Sequence, residues 1–244
     1  MNASDLTLFA DPIAASRLSD RLAALDAQAL LRLAIVDLFP GKIALVSSFG
    51  ADSAVLLHMI AQIDAKTPVV FIDTGQLFPE TLAYRESLAD HLGLLDIRSV
   101  GPDKAEVAAT DPDHFLWSSD PDRCCATRKV NPLAEGLAPF EAWITGRKRY
   151  QGATRATLAL FEAEGGRIKV NPLAKWDSTM LSAYLDRYEL PRHPLVAKGY
   201  PSIGCVPCTS GVRPGEDPRA GRWRGRGKTE CGIHLGTLSA GGDS

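Results

Sequence analysis

Residues 42–58 read KIALVSSFGADSAVLLH, and the fold turns on how this stretch is parsed. An apolar run of strand length ends in Ser47 and Ser48, Gly50 follows, and an apolar segment with helical spacing begins at Asp52. Small and hydroxyl residues between a strand and a helix let backbone N–H groups and the helix's positive end face an anion. Ser47, Ser48, Gly50, Asp52 and Ser53 are therefore candidate ligand contacts. A plain strand-to-helix turn with Ser or Asp as N-cap fits the same residues. The GxGxxG and GxxxxGK[ST] loops are both absent.

The pattern repeats downstream. TPVVFIDTG (67–75) is a second strand and loop, followed by PETLAYRESLADHLG (79–93), a helix punctuated by Pro79 and Gly93. LLDIRSVG (94–101), EAWITGRKR (141–149) and GRIKVNPL (166–173) read as three more strands, and DSTMLSAYLDRYE (177–189) as a helix. Upstream, Ile13, Leu18, Leu22, Leu25, Leu30, Leu33 and Phe39 predict one helix over 13–39. Alternating strands and helices predict an α/β fold, a parallel sheet flanked by helices on both faces. Past residue 199 Gly and Pro make up about a third of the chain and no periodic element is visible. The expected organisation is an N-terminal helical segment (1–40), a nucleotide-binding α/β domain (41–198) and a loop-rich C-terminal tail (199–244), mobile unless tied down, that carries the CxxC and Cys231.

Two loops leave the C-terminal ends of predicted strands with polar cargo. Asp73, Thr74 and Gly75 could read a ribose or an adenine, or simply form a capped turn. Arg147, Lys148, Arg149 and Arg155 form a basic cluster where an anionic ligand would sit, or a solvated charge run. The 244 residues carry 27 Lys and Arg against 29 Asp and Glu, a net charge of −2, which argues against a chain-wide nucleic-acid footprint. No apolar run approaches the roughly 20 residues of a membrane span. Without a basic, then apolar, leader at the N-terminus, the expected compartment is the cytosol.

Five cysteines, an odd number in such a chain, point to metal or thiol chemistry rather than disulfides. Cys205 and Cys208 form a CxxC, the spacing that turns two thiolates toward one centre in zinc and redox sites alike. Cys124 and Cys125 are adjacent, so their side chains diverge by about 100° on a helix. Diverging thiolates suit the separate corners of a 4Fe–4S cluster better than one tetrahedral zinc. Cys231 has no CxxC partner. Arg222, Arg224, Arg226 and Lys228 favour its thiolate, and a mobile carrier suggests a nucleophile that visits a site, although an inert tail cysteine is the plainer alternative.

Taken in order, SSFGADSAVLLH, DTGQLFPET, DPDRCCATRKVNPL, GRKRYQGATR, VNPLAKWD, GCVPCT, EDPRAGRW and ECGIHL resemble the iron–sulfur-containing assimilatory adenylyl-sulfate reductases from about residue 40 to 236. The first of these is similar to the Ser-Gly-Gly-x-Asp-Ser loop of adenine-nucleotide enzymes, with Phe49 in place of a Gly and Ala51 where many ATP users have Lys. The resemblance implies an adenine-nucleotide alpha-hydrolase-like fold, a [4Fe–4S] cluster, adenosine 5′-phosphosulfate as substrate and thioredoxin as reductant. It carries the cluster ligands onto Cys124, Cys125, Cys205 and Cys208, the nucleophile onto Cys231, and a lysine close to the cluster onto Lys129. Positive groups must offset the approach of a thiolate to an anion, and Lys129, Arg147, Arg149 and the helix start after Gly50 are the candidates. Two departures stand out: Ser210 replaces a frequent Arg, and RGRGK replaces a tryptophan-rich run. The rival readings are a reductase of 3′-phosphoadenylyl sulfate, an ATP-dependent sulfur-transfer or adenylylating enzyme, and a zinc-ribbon nucleic-acid module.

Overall fold

The computed structural model describes residues 11–152 and 155–234. Six strands form one sheet: β1 (Ile43–Ser47), β2 (Val69–Ile72), β3 (Ile97–Val100), β4 (Ala142–Ile144), β5 (Phe161–Glu164) and β6 (Arg167–Val170). Their order is β3-β2-β1-β4-β6-β5. Every neighbouring pair is parallel except β5–β6. The helices are α1 (Pro12–Arg21), α2 (Ala27–Arg32), α3 (Ser53–Asp64), α4 (Pro79–Leu92), α5 (Lys104–Thr110), α6 (Leu116–Ser119), α7 (Pro121–Cys125), α8 (Asn131–Gly136) and α9 (Ser178–Arg187). None is long and apolar enough to cross a membrane.

The central strands are buried along their length, and successive residues enter opposite cores with the period of two of a sheet covered on both faces. Ile43, Leu45, Val69 and Phe71 enter the larger core with α2 and α3. Ala44, Val70, Ile72 and Trp143 face the smaller one, closed by Val130, Leu133 and Leu137. The strand order reverses at β1: the chain proceeds to β2 and β3 on one side and to β4 and β6 on the other. A crevice at the C-terminal ends of β1 and β4 follows from that reversal, and open α/β sheets bind ligands there.

Three expectations need correcting. The helix over 13–39 is broken: Asp26 accepts a hydrogen bond from Ala29 N, restarting the chain as α2, which runs into a π-helical segment, Leu33–Leu38. The sheet is mostly rather than wholly parallel, because Gly165 and Gly166, both with positive φ, turn β5 back onto β6. The tail is not loose through residue 234. Trp223 is buried, Trp223 N donates to Cys208 O (3.1 Å), and Thr209 bridges Arg222.

Candidate functional site

A cleft of about 390 Å³ opens at the strand reversal. Ser47, Ser48, Gly50, Asp52 and Ser53 line it from the β1–α3 turn, Thr74 from the end of β2, and Thr145–Lys148 from the end of β4. The turn is held by Phe49, whose φ of 47° lies in the left-handed region. That conformation favours glycine; here the fully buried ring packs edge-on against Phe71 at 5.6 Å, which offsets the strain.

The start of α3 differs from the five helix starts that an aspartate caps. Asp11, Asp26, Asp103, Asp120 and Asp177 each accept hydrogen bonds from the first turn of the helix they precede. Asp52 makes no such bond; its carboxylate takes Lys148 Nζ at 2.8 Å. The leading amides of α3 therefore have no side-chain cap, as an anion-receiving helix end requires.

Six cationic side chains line the same cleft. Four have carboxylate partners: Lys148 with Asp52, Arg147 with Glu162, and both Arg155 and Arg219 with Glu230. Among the described residues Lys129 and Arg222 have none. Arg222 stacks over Trp223 at 4.5 Å and donates to Ile203 O at 3.1 Å. Burial pulls the Lys129 ammonium down, but negative charge on Cys205, Cys231 and Cys125 more than reverses this and holds it above the ordinary lysine value. Burial lowers Lys148 despite Asp52, and keeps His234 neutral, with Arg147, Lys169, Arg155 and Arg219 acting in the same direction. Buried polar atoms without a partner concentrate here as well: Trp143 Nε1, Arg147 Nε, Arg222 Nε, Trp223 Nε1 and His234 Nδ1 all belong to cleft-lining residues. Such atoms are costly unless something arrives to satisfy them.

The cysteines stand at one end of the cleft. Cys124 and Cys125 end α7, Cys205 precedes a short 3₁₀ turn (Val206–Cys208) and Cys208 ends it; all four are buried and none forms a disulfide. Cys205 Sγ lies 3.2 Å from Thr74 Oγ1, and Arg226 Nη1 lies 3.7 Å from Cys208 Sγ. The Cys124 thiol is pushed up to about 12 by burial and then by Cys125 and Cys205, while Arg128 opposes them. Burial also pushes the Cys125 thiol up, against Lys129 and Lys228; bound metal stabilises thiolates that burial disfavours. Among the described residues, no three His, Cys, Asp or Glu side chains gather closely enough to hold a metal ion. The donor set, four thiols from two segments, fits an iron–sulfur cluster in its chemistry. Cys231, half-buried, packs against Cys205, Cys208 and Trp223 and faces the cleft. Three residues on, His234 lies parallel to the Trp143 indole, 6.0 Å between centroids.

The structure thus gathers Ser47, Ser48, Gly50, Asp52, Ser53, Thr74, Lys129, Arg147, Cys205 and Cys231 around one space, with Cys124, Cys125 and Cys208 buried. It does not bring three expected contacts there. Arg149 is exposed and spends its Nε on Leu158 O at 2.9 Å. Asp73 folds back onto Gly75 N at 3.0 Å, and both line a neighbouring cavity beside Arg128. Sequence reasoning reached Arg155 and Arg222 only as members of basic runs, and missed Arg219, Trp143 and His234 as cleft residues. Their shared signal was proximity in sequence to a motif, which does not say which way a side chain points.

The chain is similar to known proteins over most of its length. The phosphoadenosine phosphosulfate reductase domain model matches residues 42–211. An adenosine 5′-phosphosulfate reductase from Mesorhizobium japonicum is 57% identical over 83% of this chain and 80% of its own length. A phosphoadenosine 5′-phosphosulfate reductase from Gloeobacter violaceus is 42% identical over 80% of this chain and 83% of its own. The crystal structure of phosphoadenylyl-sulfate reductase from Candida auris, a phosphate complex, superposes with a TM-score of 0.70 at 29% identity, covering 83% of this chain and 98% of that one.

Proposed function

Because the chain belongs to the phosphoadenosine phosphosulfate reductase domain family, we propose that it reduces adenosine 5′-phosphosulfate to sulfite and AMP, with thioredoxin as electron donor, as a step in sulfate assimilation. The observation that carries the reading is Cys231 beside Lys129 in the wall of a cation-lined cleft whose helix end is uncapped. Residues 41–198 serve as the nucleotide-binding body and residues 199–244 as the tail that brings the nucleophile, in the cytosol, where thiols are kept reduced.

The Cys231 thiolate attacks the sulfate sulfur. The S–O bond to the nucleotide breaks, AMP leaves with that bonding pair on its phosphate oxygen, and Cys231–S–SO₃⁻ remains. A thioredoxin thiolate then attacks Cys231 Sγ and expels sulfite; its second thiolate resolves the mixed disulfide and returns Cys231 as a thiol. Thioredoxin loses two electrons and the transferred sulfur gains two. Lys129, Arg222, Arg147 and the α3 amides lower the cost of bringing anion to anion. Cys124, Cys125, Cys205 and Cys208 would hold a [4Fe–4S] cluster, which when bound fixes the electrostatic field at this end of the cleft.

Reduction of the 3′-phosphorylated nucleotide is the second reading, favoured by the name of the Gloeobacter relative. Comparing kcat/KM for the two nucleotides at one ionic strength decides between them. Preference for the substrate without the 3′-phosphate is expected; equal or reversed preference contradicts the assignment.

A further inference from the structure

Glu230 precedes Cys231 and is only 8% exposed. Its carboxylate accepts from Arg155 Nε at 2.6 Å and Arg155 Nη2 at 2.7 Å, a bidentate pair withdrawn from water on both sides. Arg219 stands 3.5 Å from the same carboxylate. Arg155 belongs to the segment after β4, so this pair ties the tail to the body of the fold one peptide unit from the Cys231 Cα, about 3.8 Å away. The other charged tie nearby, Lys228 to Asp122, ends on a carboxylate that is 86% exposed and is weakened by solvent. A buried bidentate pair responds differently: removing one partner leaves the other charge buried and uncompensated.

Resting on the reading of Cys231 as the nucleophile, we propose that Glu230 is a positioning residue: its ion pair with Arg155 is the latch that sets Cys231 at the cleft wall, and its charge occupies two guanidiniums that an incoming anion would otherwise use. The two roles oppose each other. With the latch closed, the sulfur is presented but the cleft loses one unit of positive charge. With it open, Arg155 and Arg219 face the cleft without a carboxylate partner and attract the substrate's anionic groups, while Cys231 is free to meet a second protein. A residue that merely stabilised the fold would link neither event to the other.

The test uses the full-length protein as purified and compares wild type, Glu230→Gln, Glu230→Asp, Arg155→Gln and the Glu230→Gln/Arg155→Gln double variant. The first readout is the rate at which iodoacetamide alkylates the peptide containing Cys231, followed by mass spectrometry. Glu230→Gln and Arg155→Gln should each raise it about fivefold or more, and the double variant should be no faster than either, the non-additivity of a shared contact. Glu230→Asp should recover most of the wild-type rate. The second readout is calorimetric affinity for AMP, which Glu230→Gln should tighten about threefold or more by removing a negative charge from the cleft. Additive effects in the cycle, a Cys231 rate in Glu230→Gln within about twofold of wild type, or weakened AMP binding in that variant would overturn the proposal. Should Glu230→Gln fail to fold, Arg155→Gln breaks the latch from the body's side, and an unchanged Cys231 rate there overturns it equally. Neither readout needs turnover. A chain that shows the cycle but does not reduce adenosine 5′-phosphosulfate keeps the latch and loses the reductase reading.

Discussion

Residues 43–74 and residues 203–234 build opposite walls of one cleft, and different physics holds each wall in place. The first wall is the end of a covered sheet: β1 and β2 are buried on both faces, and α3 sits on the larger core through Val55, Leu57 and Ile60. That core contains no described residue beyond Leu190. The second wall has a small apolar cluster of Cys205, Cys208 and Trp223, and rests Ile233 on the smaller core. It is tied to the body by Val206 N to Gln76 O, Arg226 to Trp117 O and Arg155 to Glu230, with Arg222 to Ile203 O and Arg219 to Thr229 O bracing it internally. Hydrophobic burial is diffuse, and losing one contact leaves the rest in place. Polar anchors are few and discrete, so a wall built from them can be released without melting the other. Chemistry that needs a rigid anion site and a movable thiol is served by that division.

The largest expected effects are at the cysteines. Cys205→Ser should abolish iron incorporation, whereas Cys231→Ser should retain the full iron content, both measured on purified protein. Iron loss in the Cys231 variant would mean that the proposed nucleophile is a ligand instead. Next comes the core wall: Leu57→Ala truncates a fully buried side chain and should cost about 2–5 kcal/mol. For a chain of this size that lowers Tm by roughly 2–4 °C per kcal/mol in a thermal melt. Deleting residues from Lys228 onward should shift Tm far less, because it removes nothing from the large core. A tail deletion as destabilising as Leu57→Ala would show that the two walls share one core.

Smaller effects test the assignment of the cations. Arg147→Ala removes a cleft guanidinium and should cost about 1–3 kcal/mol in kcat/KM, roughly fivefold to 150-fold. Arg149→Ala, two residues on and exposed, should change kcat/KM by less than about twofold. Equal losses from both would return the basic turn to the reading in which all its members face the ligand.

What the sequence made legible divides along the same line. The strand-turn-helix of residues 42–58, the following strands and the helix stop at Gly93 were readable, since apolar period and punctuation are local signals that burial later respects. The β5 strand was not: FEAE is too short and polar to stand out, and only the Gly165-Gly166 pair signalled a hairpin. The break at Asp26 was hidden by continuous leucine spacing on either side of a capping residue. At the site, the sequence located the thiols by the spacing of the cysteines, which is a local property of the chain. The roles of Arg149 and Asp73 were misjudged, and Arg155, Arg219 and His234 were left unplaced. A basic run names which charges are near a strand end, but the direction of each is decided by partners such as Leu158 O and Glu230, far off in sequence. The tail looked structureless because arginine-to-carbonyl anchors leave no period in the chain.

Cys231 alone among the five cysteines is expected to accept the sulfonate. Full-length protein incubated with adenosine 5′-phosphosulfate and no reductant should gain about 80 Da on the peptide containing Cys231, and reduced thioredoxin should remove that mass as sulfite. The chain truncated before Lys228 should gain nothing while still binding nucleotide. An adduct on Cys124, Cys125, Cys205 or Cys208, or turnover by the truncated chain, would contradict the account.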